Sequence, residues 1–501
     1  MPDLTRTDIV AGLRALGLAP GERVLVHSSL SALGQVEGGA DTVIDALLEA
    51  VGSEGLVAVP TFGGAQPFDR RSTPTNLGCI PDRFWRRPEA VRSLHPTHSV
   101  AAIGKGAAEL IADHEKAPTA YGEGTPYHKL AMTGGKILFI GVDQDRNTSL
   151  HAAEALAGMS YLKEVERGYV ADSGEVATIP VAAMAGPHRN FLGLDPLFRE
   201  RGIMRMGKIG RAVCRLIDGK TMLETALEAL RRDPAVMLCD NPACADCVRQ
   251  REAVGAVPLS DQDFLAALAE AHLQAGSVKA ARLAQEDFTL AAVTADISED
   301  PEVIFGALRA EGISALEMTG EEYNRWGHAL PEGFRIVALR GTFDDGVTIG
   351  LAERLGLPLI LPVGDREEYE AAAELRAGGM TVYLQNTWQT SGFYRGLYAG
   401  SESDPPLAFS PARFAGAAEH PFLQVFYRGP LRRNTAHVYV DDALWDGTPT
   451  LPGRGNAEVK EIISILRCRS FGGVLALRSH TPGVAAFRQA AGAFWKLLET
   501  M

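Results

Sequence analysis

A strand-then-helix rhythm that restarts near Phe288 constrains the fold of this chain more than any other feature. Eight short apolar runs follow in order: Leu290–Val293, Ala315–Met318, Arg335–Leu339, Leu359–Val363, Thr381–Leu384, Leu423–Phe426, Ala436–Val440 and Gly473–Leu477. Helical stretches such as Pro301–Glu311 and Glu367–Ala377 fall between them. Each run suits one buried strand, and a helical crossover makes consecutive strands parallel. Eight such units in about 215 residues predict a (β/α)8 TIM-like barrel over 286–501.

The first part of the chain alternates less regularly. Thr7–Leu16 reads as a helix stopped by Gly17, Val24–Val26 as a strand and Asp41–Val51 as a helix. Leu56–Pro60, Val100–Ile103 and Lys136–Val142 read as strands, with a helix over Gly104–His114. This predicts a layered α/β domain over 1–260, joined to the barrel by an Ala/Leu/Gln-rich helical connector at 261–285. A length of 501 residues also exceeds what one core usually serves.

A net charge of -13 argues against nucleic acid or an anionic membrane as partner. It suits a cationic small molecule, although such a charge is more often just an acidic surface. The first residues lack a secretory apolar core, and no run approaches the ~18 residues that span a bilayer. The expectation is a cytoplasmic protein whose six cysteines are reduced thiols.

Several short segments could carry chemistry. Asn147–Glu154 follows the strand Lys136–Val142 and sets His151 and Glu154 three residues apart, on one face of a helix. A carboxylate there can orient an imidazole as a general base, although a packed or capping histidine has the same local look. Val26–Gly34 followed by Gly38-Gly39 is a Ser/Gly loop after a strand, suited to a pyrophosphate or a pantetheine amide and also to a plain capped turn. His95 and His98 are spaced for a metal, but no third ligand accompanies them and Pro96 extends the segment. Cys239, Cys244 and Cys247 form C-x4-C-x2-C, three of the four ligands of a structural zinc, with no fourth nearby. A histidine from another loop could complete that set, and a reduced thiol cluster is the competing reading.

Taken in order, these segments resemble the aminoglycoside 3-N-acetyltransferase family. The matching pieces are Val26–Gly39, Val59–Phe62, Leu77–Pro81 leading into Arg92–Val100, Gly122–Pro126, the strand ending at Gly141, Asn147–Glu154 and Gly207–Ala212. They cover roughly residues 3–250. The resemblance implies transfer of acetyl from acetyl-CoA to an amine, with His151 as catalytic base and Glu154 beside it. It implies contacts to coenzyme A from Ser28, Ser29, Leu30, Ser99 and Val100, and less firmly from Thr61. It also implies a further acidic partner before the Gly207 motif, for which Asp195 is the first choice and Glu200 the second. Residues 160–200 are shorter than in resistance members, which leaves the amine acceptor open. A homodimer is an open option.

The second half resembles the xylose-isomerase-like barrels of sugar phosphate isomerases and epimerases, through Glu311–Glu317, Ala436–Asp442 and Phe471–Leu477. That resemblance implies a divalent metal held at the strand ends. The matching positions are Gln385, Ser410, Tyr439 and Arg478, none of them an anionic or imidazole ligand. The barrel is therefore expected to lack metal chemistry. His437, Asp441 and Asp442 keep polarity near a strand end. The alternatives to acetyl transfer are an isomerase or epimerase carried by the barrel, or a non-catalytic sugar-binding scaffold.

Overall fold

A computed structural model describes residues 3–64, 66–184, 188–272, 279, 283, 286–398, 404–427 and 430–501. The strands of the N-terminal half are β1 Arg23–Ser28, β2 Leu56–Pro60, β3 Val91–Arg92, β4 Val100–Gly104, β5 Lys136–Ile140, β6 Leu162–Val170, β7 Val176–Met184, β8 Met204–Ile209 and β9 Ala212–Asp218. Seven of them form one sheet in the order β3-β4-β2-β1-β5-β9-β8, while β6 and β7 make a separate hairpin. Successive residues of the central strands alternate between two cores. Val24 and Val26 pack with the helices Arg6–Leu16 and Gly39–Val51, whereas Leu25 packs on the opposite side with Leu130 and Leu223. Burial on both faces is why these strands are apolar throughout rather than alternating.

The pairing brings one edge of this sheet into use. β1 runs parallel to β2 and β5, and β4 runs antiparallel to β2. Ser28, Thr61 and Gly141 therefore emerge at the edge where β4 begins, with Val100 paired to Pro60. Gly141 has φ +63°, and a Cβ there would stand 2.1 Å from the Ala32 Cβ. Only glycine lets the loop after β1 settle against the end of β5.

The second half holds β10 Thr289–Val293, β11 Ala315–Thr319, β12 Arg335–Arg340, β13 Leu359–Val363, β14 Val382–Asn386, β15 Leu407–Phe409, β16 Thr435–Val440, β17 Asp442–Ala443, β18 Pro449–Thr450 and β19 Val474–Leu477. β10 to β16 and then β19 close into an eight-stranded parallel barrel, as the rhythm of the sequence predicts. Val293, Ala338, Ile360, Ala408, Tyr439 and Ala476 fill its interior.

One expected strand is corrected. Leu423–Phe426 belongs to a π-helical turn, Pro421–Phe426, and β15 takes the place in the barrel. Phe422, Val425 and Phe426 are buried while Leu423 is 55% exposed, a helical spacing that a short apolar run disguises. The helix expected over Gly104–His114 is shorter, Ala107–Ile111, with a 3-10 turn at His114–Lys116 after Asp113 at φ 60°. Of the expected connector, Asp261–His272 is a helix that lays Phe264 and Leu268 on Ala493 of the last helix, Val484–Glu499. Most of 273–285 lies outside the described residues.

The halves are joined by direct bonds. The Val213 N–H donates to the Cys468 carbonyl at 3.0 Å, and Lys460 donates to the Asn190 side chain at 2.5 Å. Phe191 packs in a core of the first half, and its neighbour Leu192 packs in the core of the barrel. Among the described residues no helix is long and apolar enough to cross a membrane, and all six cysteines are unpaired.

Candidate active site

After β5 the chain passes through a 3-10 turn, Gln144–Arg146, into the short helix Leu150–Leu156. Leu150, Ala152 and Ala153 are buried in the core, which fixes the helix and leaves His151 on its remaining face. The His151 side chain is 12% exposed and that of Glu154 is fully buried. His151 Nδ1 lies 2.5 Å from Glu154 Oε2. A hydrogen on Nδ1 donated to this carboxylate leaves Nε2 as the accepting nitrogen.

The carboxylate is held from behind. Tyr161 donates its hydroxyl to Glu154 Oε1 at 2.7 Å, and Arg189 donates Nε to the same oxygen at 2.6 Å. Burial alone would push the Glu154 carboxyl up. The imidazole, Arg189 and Tyr161 together outweigh it and hold Glu154 below its ordinary value. The imidazole itself stacks on Tyr121 at 4.8 Å and meets the edge of Phe191 at 4.8 Å.

His151 opens onto a cavity of about 880 Å³ between the two halves. Arg189 and Phe191 line one side, and Trp445, Glu458 and Lys460 of the barrel half line the other. Carboxylates and cations alternate around it, with Asp145 on Arg146 at 3.0 Å and Asp240 near Lys496 at 3.9 Å. A cationic guest would be recognised there by local pairs rather than by a one-sign field.

The other expected residues gather at the sheet edge described above. Ser28 Oγ and the neighbouring His27 Nε2 are buried without a hydrogen-bond partner among the described residues. Leu30 opens the single-turn helix Leu30–Leu33, with Ser29 ahead of it. Thr61 Oγ1 bonds Ser99 Oγ at 3.1 Å and accepts from Arg92 Nε at 3.1 Å, which locks the ends of β2 and β4 together. The Val100 N–H donates to Ser93 Oγ at 2.8 Å.

Asp195 joins a different cluster from the imidazole. Its carboxylate pairs with Arg199 at 2.9 Å and Arg215 at 3.7 Å and accepts from Gln144 at 3.4 Å. Burial, then the nearby Asp143, raises the Asp195 carboxyl. Glu200 is exposed.

Sequence reasoning did not single out Arg469 of the barrel half or His188 of the first half. Arg469 Nη2 donates to Ser29 Oγ and to Ser31 Oγ, each at 3.0 Å. Burial, with Arg432 nearby, lowers this guanidinium to about 10. His188 stands beside Cys239, Cys244 and Cys247, and the four ligand atoms lie within 4.8 Å of one another. His95 stacks on His114 at 4.4 Å and the half-buried His98 meets Tyr121 edge-on at 4.8 Å instead.

Of the four barrel positions expected to have lost metal ligands, Ser410, Tyr439 and Arg478 are paired within the barrel, while Gln385 Nε2 is buried without a hydrogen-bond partner among the described residues. Tyr439 donates to Glu317 at 2.9 Å, His437 faces the same carboxylate at 2.9 Å, and Arg478 pairs with Asp296 at 3.1 Å. Ser410 donates to Asp441 at 2.7 Å. The Asp442 carboxylate accepts from the backbone N–H groups of Ala443, Gly453, Gly455 and Ala457, tying down the loop beyond β16.

Comparison with known proteins bears on the first half. A family model described as aminoglycoside 3-N-acetyltransferase matches residues 25–231. Aminoglycoside N(3)-acetyltransferase IV of a Salmonella species is 32% identical over 238 residues, covering 46% of this chain and 90% of that protein. Aminoglycoside N(3)-acetyltransferase VII of Streptomyces paromomycinus is 37% identical, covering 44% of this chain and 89% of its own. A solved aminoglycoside acetyltransferase apoenzyme is 31% identical and covers 50% of this chain and 98% of its own, with a TM-score of 0.46. With nine-tenths of a relative's length matched at this identity, and the matching segments gathered at one sheet edge, the chain belongs to the aminoglycoside 3-N-acetyltransferase family.

Proposed function

We propose that this protein moves an acetyl group from acetyl-CoA to an amine of an aminoglycoside or related amino sugar, with His151 as general base. The observation that carries this reading is the 2.5 Å contact between His151 and the buried, doubly supported Glu154, with the imidazole open to the cavity. An alkyl ammonium cannot attack a thioester and first loses its proton to solvent, after which a base must take a second proton from the amine as the C–N bond forms. The amine nitrogen forms a bond to the thioester carbon, His151 Nε2 receives the proton, and the C–S bond breaks. The departing thiolate of coenzyme A then takes that proton back from the imidazole.

Glu154 serves this cycle by stabilising the imidazolium and fixing its tautomer. Ser28 Oγ and His27 Nε2 suit the amides of a pantetheine arm, because each is a buried polar atom awaiting a partner. Ser29, Leu30, Thr61, Ser99 and Val100 shape the same edge. Asp195 acts through the framework, holding Arg215 and Arg199. Unpaired thiols and the need for acetyl-CoA suit a reducing, cytoplasmic setting.

The test is an acceptor panel of aminoglycosides and amino sugars, read by thiol release from acetyl-CoA. His151→Ala should lower turnover by about 10²- to 10⁴-fold and leave acetyl-CoA affinity nearly unchanged. Full turnover in that variant would refute the assignment.

A further inference from the structure

The cysteine cluster takes no part in acetyl transfer as drawn above, yet it sits directly behind the base. His188 Nδ1 is 3.1 Å from Cys247 Sγ and 3.5 Å from Cys244 Sγ, and Cys239 completes a group spanning no more than 4.8 Å. Around a tetrahedral zinc ion, with bonds of ~2.0–2.3 Å, neighbouring ligand atoms stand roughly 3.3–3.8 Å apart. The four donors therefore surround a space for a single ion. Three sulfurs and one imidazole are soft donors, which favour zinc over magnesium or calcium.

The surroundings are arranged to hold this geometry. Tyr161, Ala235 and Leu238 pack around the thiols. Arg251 donates to the carbonyls of Cys239 and Leu238, each at 2.8 Å. Asn241, between two of the cysteines, donates to the Gly455 carbonyl of the barrel half at 2.6 Å. The second nitrogen of His188, Nε2, lies 3.0 Å from Glu461 Oε1. A carboxylate behind a ligating histidine fixes its tautomer and strengthens it as a ligand.

We propose that the protein holds a structural zinc ion at His188, Cys239, Cys244 and Cys247, and that Glu461 of the barrel half orients the histidine ligand. All four positions are filled by protein, so the ion offers no open site for chemistry. Its effect on the reaction is positional. It fixes residue 188, and the next residues carry Arg189 onto Glu154 at 2.6 Å and Phe191 against the imidazole. The positional role rests on the acetyl-transfer reading, whereas the metal site does not.

Metal analysis of the full chain, purified without chelator under reducing conditions, should find about one zinc per molecule. Cobalt reconstitution should give the thiolate charge-transfer band and strong visible bands of a tetrahedral site. Cys244→Ser should lose the metal, and where that variant does not fold, chelator titration of the wild type decides. Glu461→Gln should keep the ion but release it to a chromophoric chelator with about 10- to 100-fold weaker affinity. Stripping zinc should lower turnover, with recovery on zinc and not on magnesium. Absence of zinc after reconstitution, or a weak octahedral cobalt spectrum, would overturn the metal site. A Glu461→Gln protein that holds zinc as tightly as wild type would overturn the role of the barrel. Failure to acetylate any acceptor would leave these metal measurements untouched, so the two readings fail separately.

Discussion

A carboxylate with no exposed surface is costly to keep ionised, and Glu154 stays ionised through the imidazole, the Tyr161 hydroxyl and the Arg189 guanidinium. Glu154→Gln removes the charge and leaves Arg189 buried against a neutral amide. Loss of one charged hydrogen bond to the imidazolium, worth ~1.5–3 kcal/mol, should slow turnover by about 10- to 100-fold. The melting temperature should fall as well, and steady-state kinetics with thermal unfolding measure both. The dyad was legible in the sequence because its members are three residues apart on one helix face. Arg189 was not, because 35 residues and a hairpin separate it from Glu154 and no local spacing reveals such a partner.

At the scale of elements, the loop after β1 depends on the barrel half. Arg469 holds Ser29 and Ser31 together, next to the sheet edge where the acetyl donor is proposed to sit. Arg469→Ala should raise the KM for acetyl-CoA by roughly tenfold, the worth of one charge-assisted bond, while kcat stays within about twofold. An unchanged KM would show that the loop keeps its form without this tether. Most strands were legible because each is a single apolar run of the right length. The π-helical turn at Pro421–Phe426 was not, since six residues with three buried aromatics or aliphatics fit either period. β15 is only three residues long and gave too little pattern to read.

For the whole molecule, acid sensitivity follows from four imidazoles in the first half, three of them buried and His98 half-buried. Burial lowers His27 and His98 to about 3, His114 to about 4, and His95 well below its usual value. The unfolded chain takes up protons below about pH 6.5 that the folded chain refuses, so stability present above that pH is lost as pH falls. Each such histidine contributes up to about 1.4 kcal/mol per pH unit. Asp145, raised by burial to about 6, and Asp442, raised to about 7, work in the opposite sense over the same range. Urea midpoints should therefore drop between pH 6.5 and 5, and His27→Leu should make the slope shallower by about one proton. A midpoint that rose on acidification would contradict this balance. That the chain has two halves was plain from its change of rhythm near Phe288. How the halves touch was not, because bonds such as Lys460 to Asn190 join residues 270 apart.

The grip of the barrel half on residues 188–191 also bears on the chain as it is made. His151 and Glu154 leave the ribosome early, but Glu461 follows His151 by 310 positions, or about 15–60 s at ~5–20 residues per second. Throughout that interval the segment carrying Arg189 lacks its anchors at Lys460 and Glu461. A chain not yet made as far as Glu461 therefore has the base without the full support of its carboxylate, and the barrel half is what completes that support.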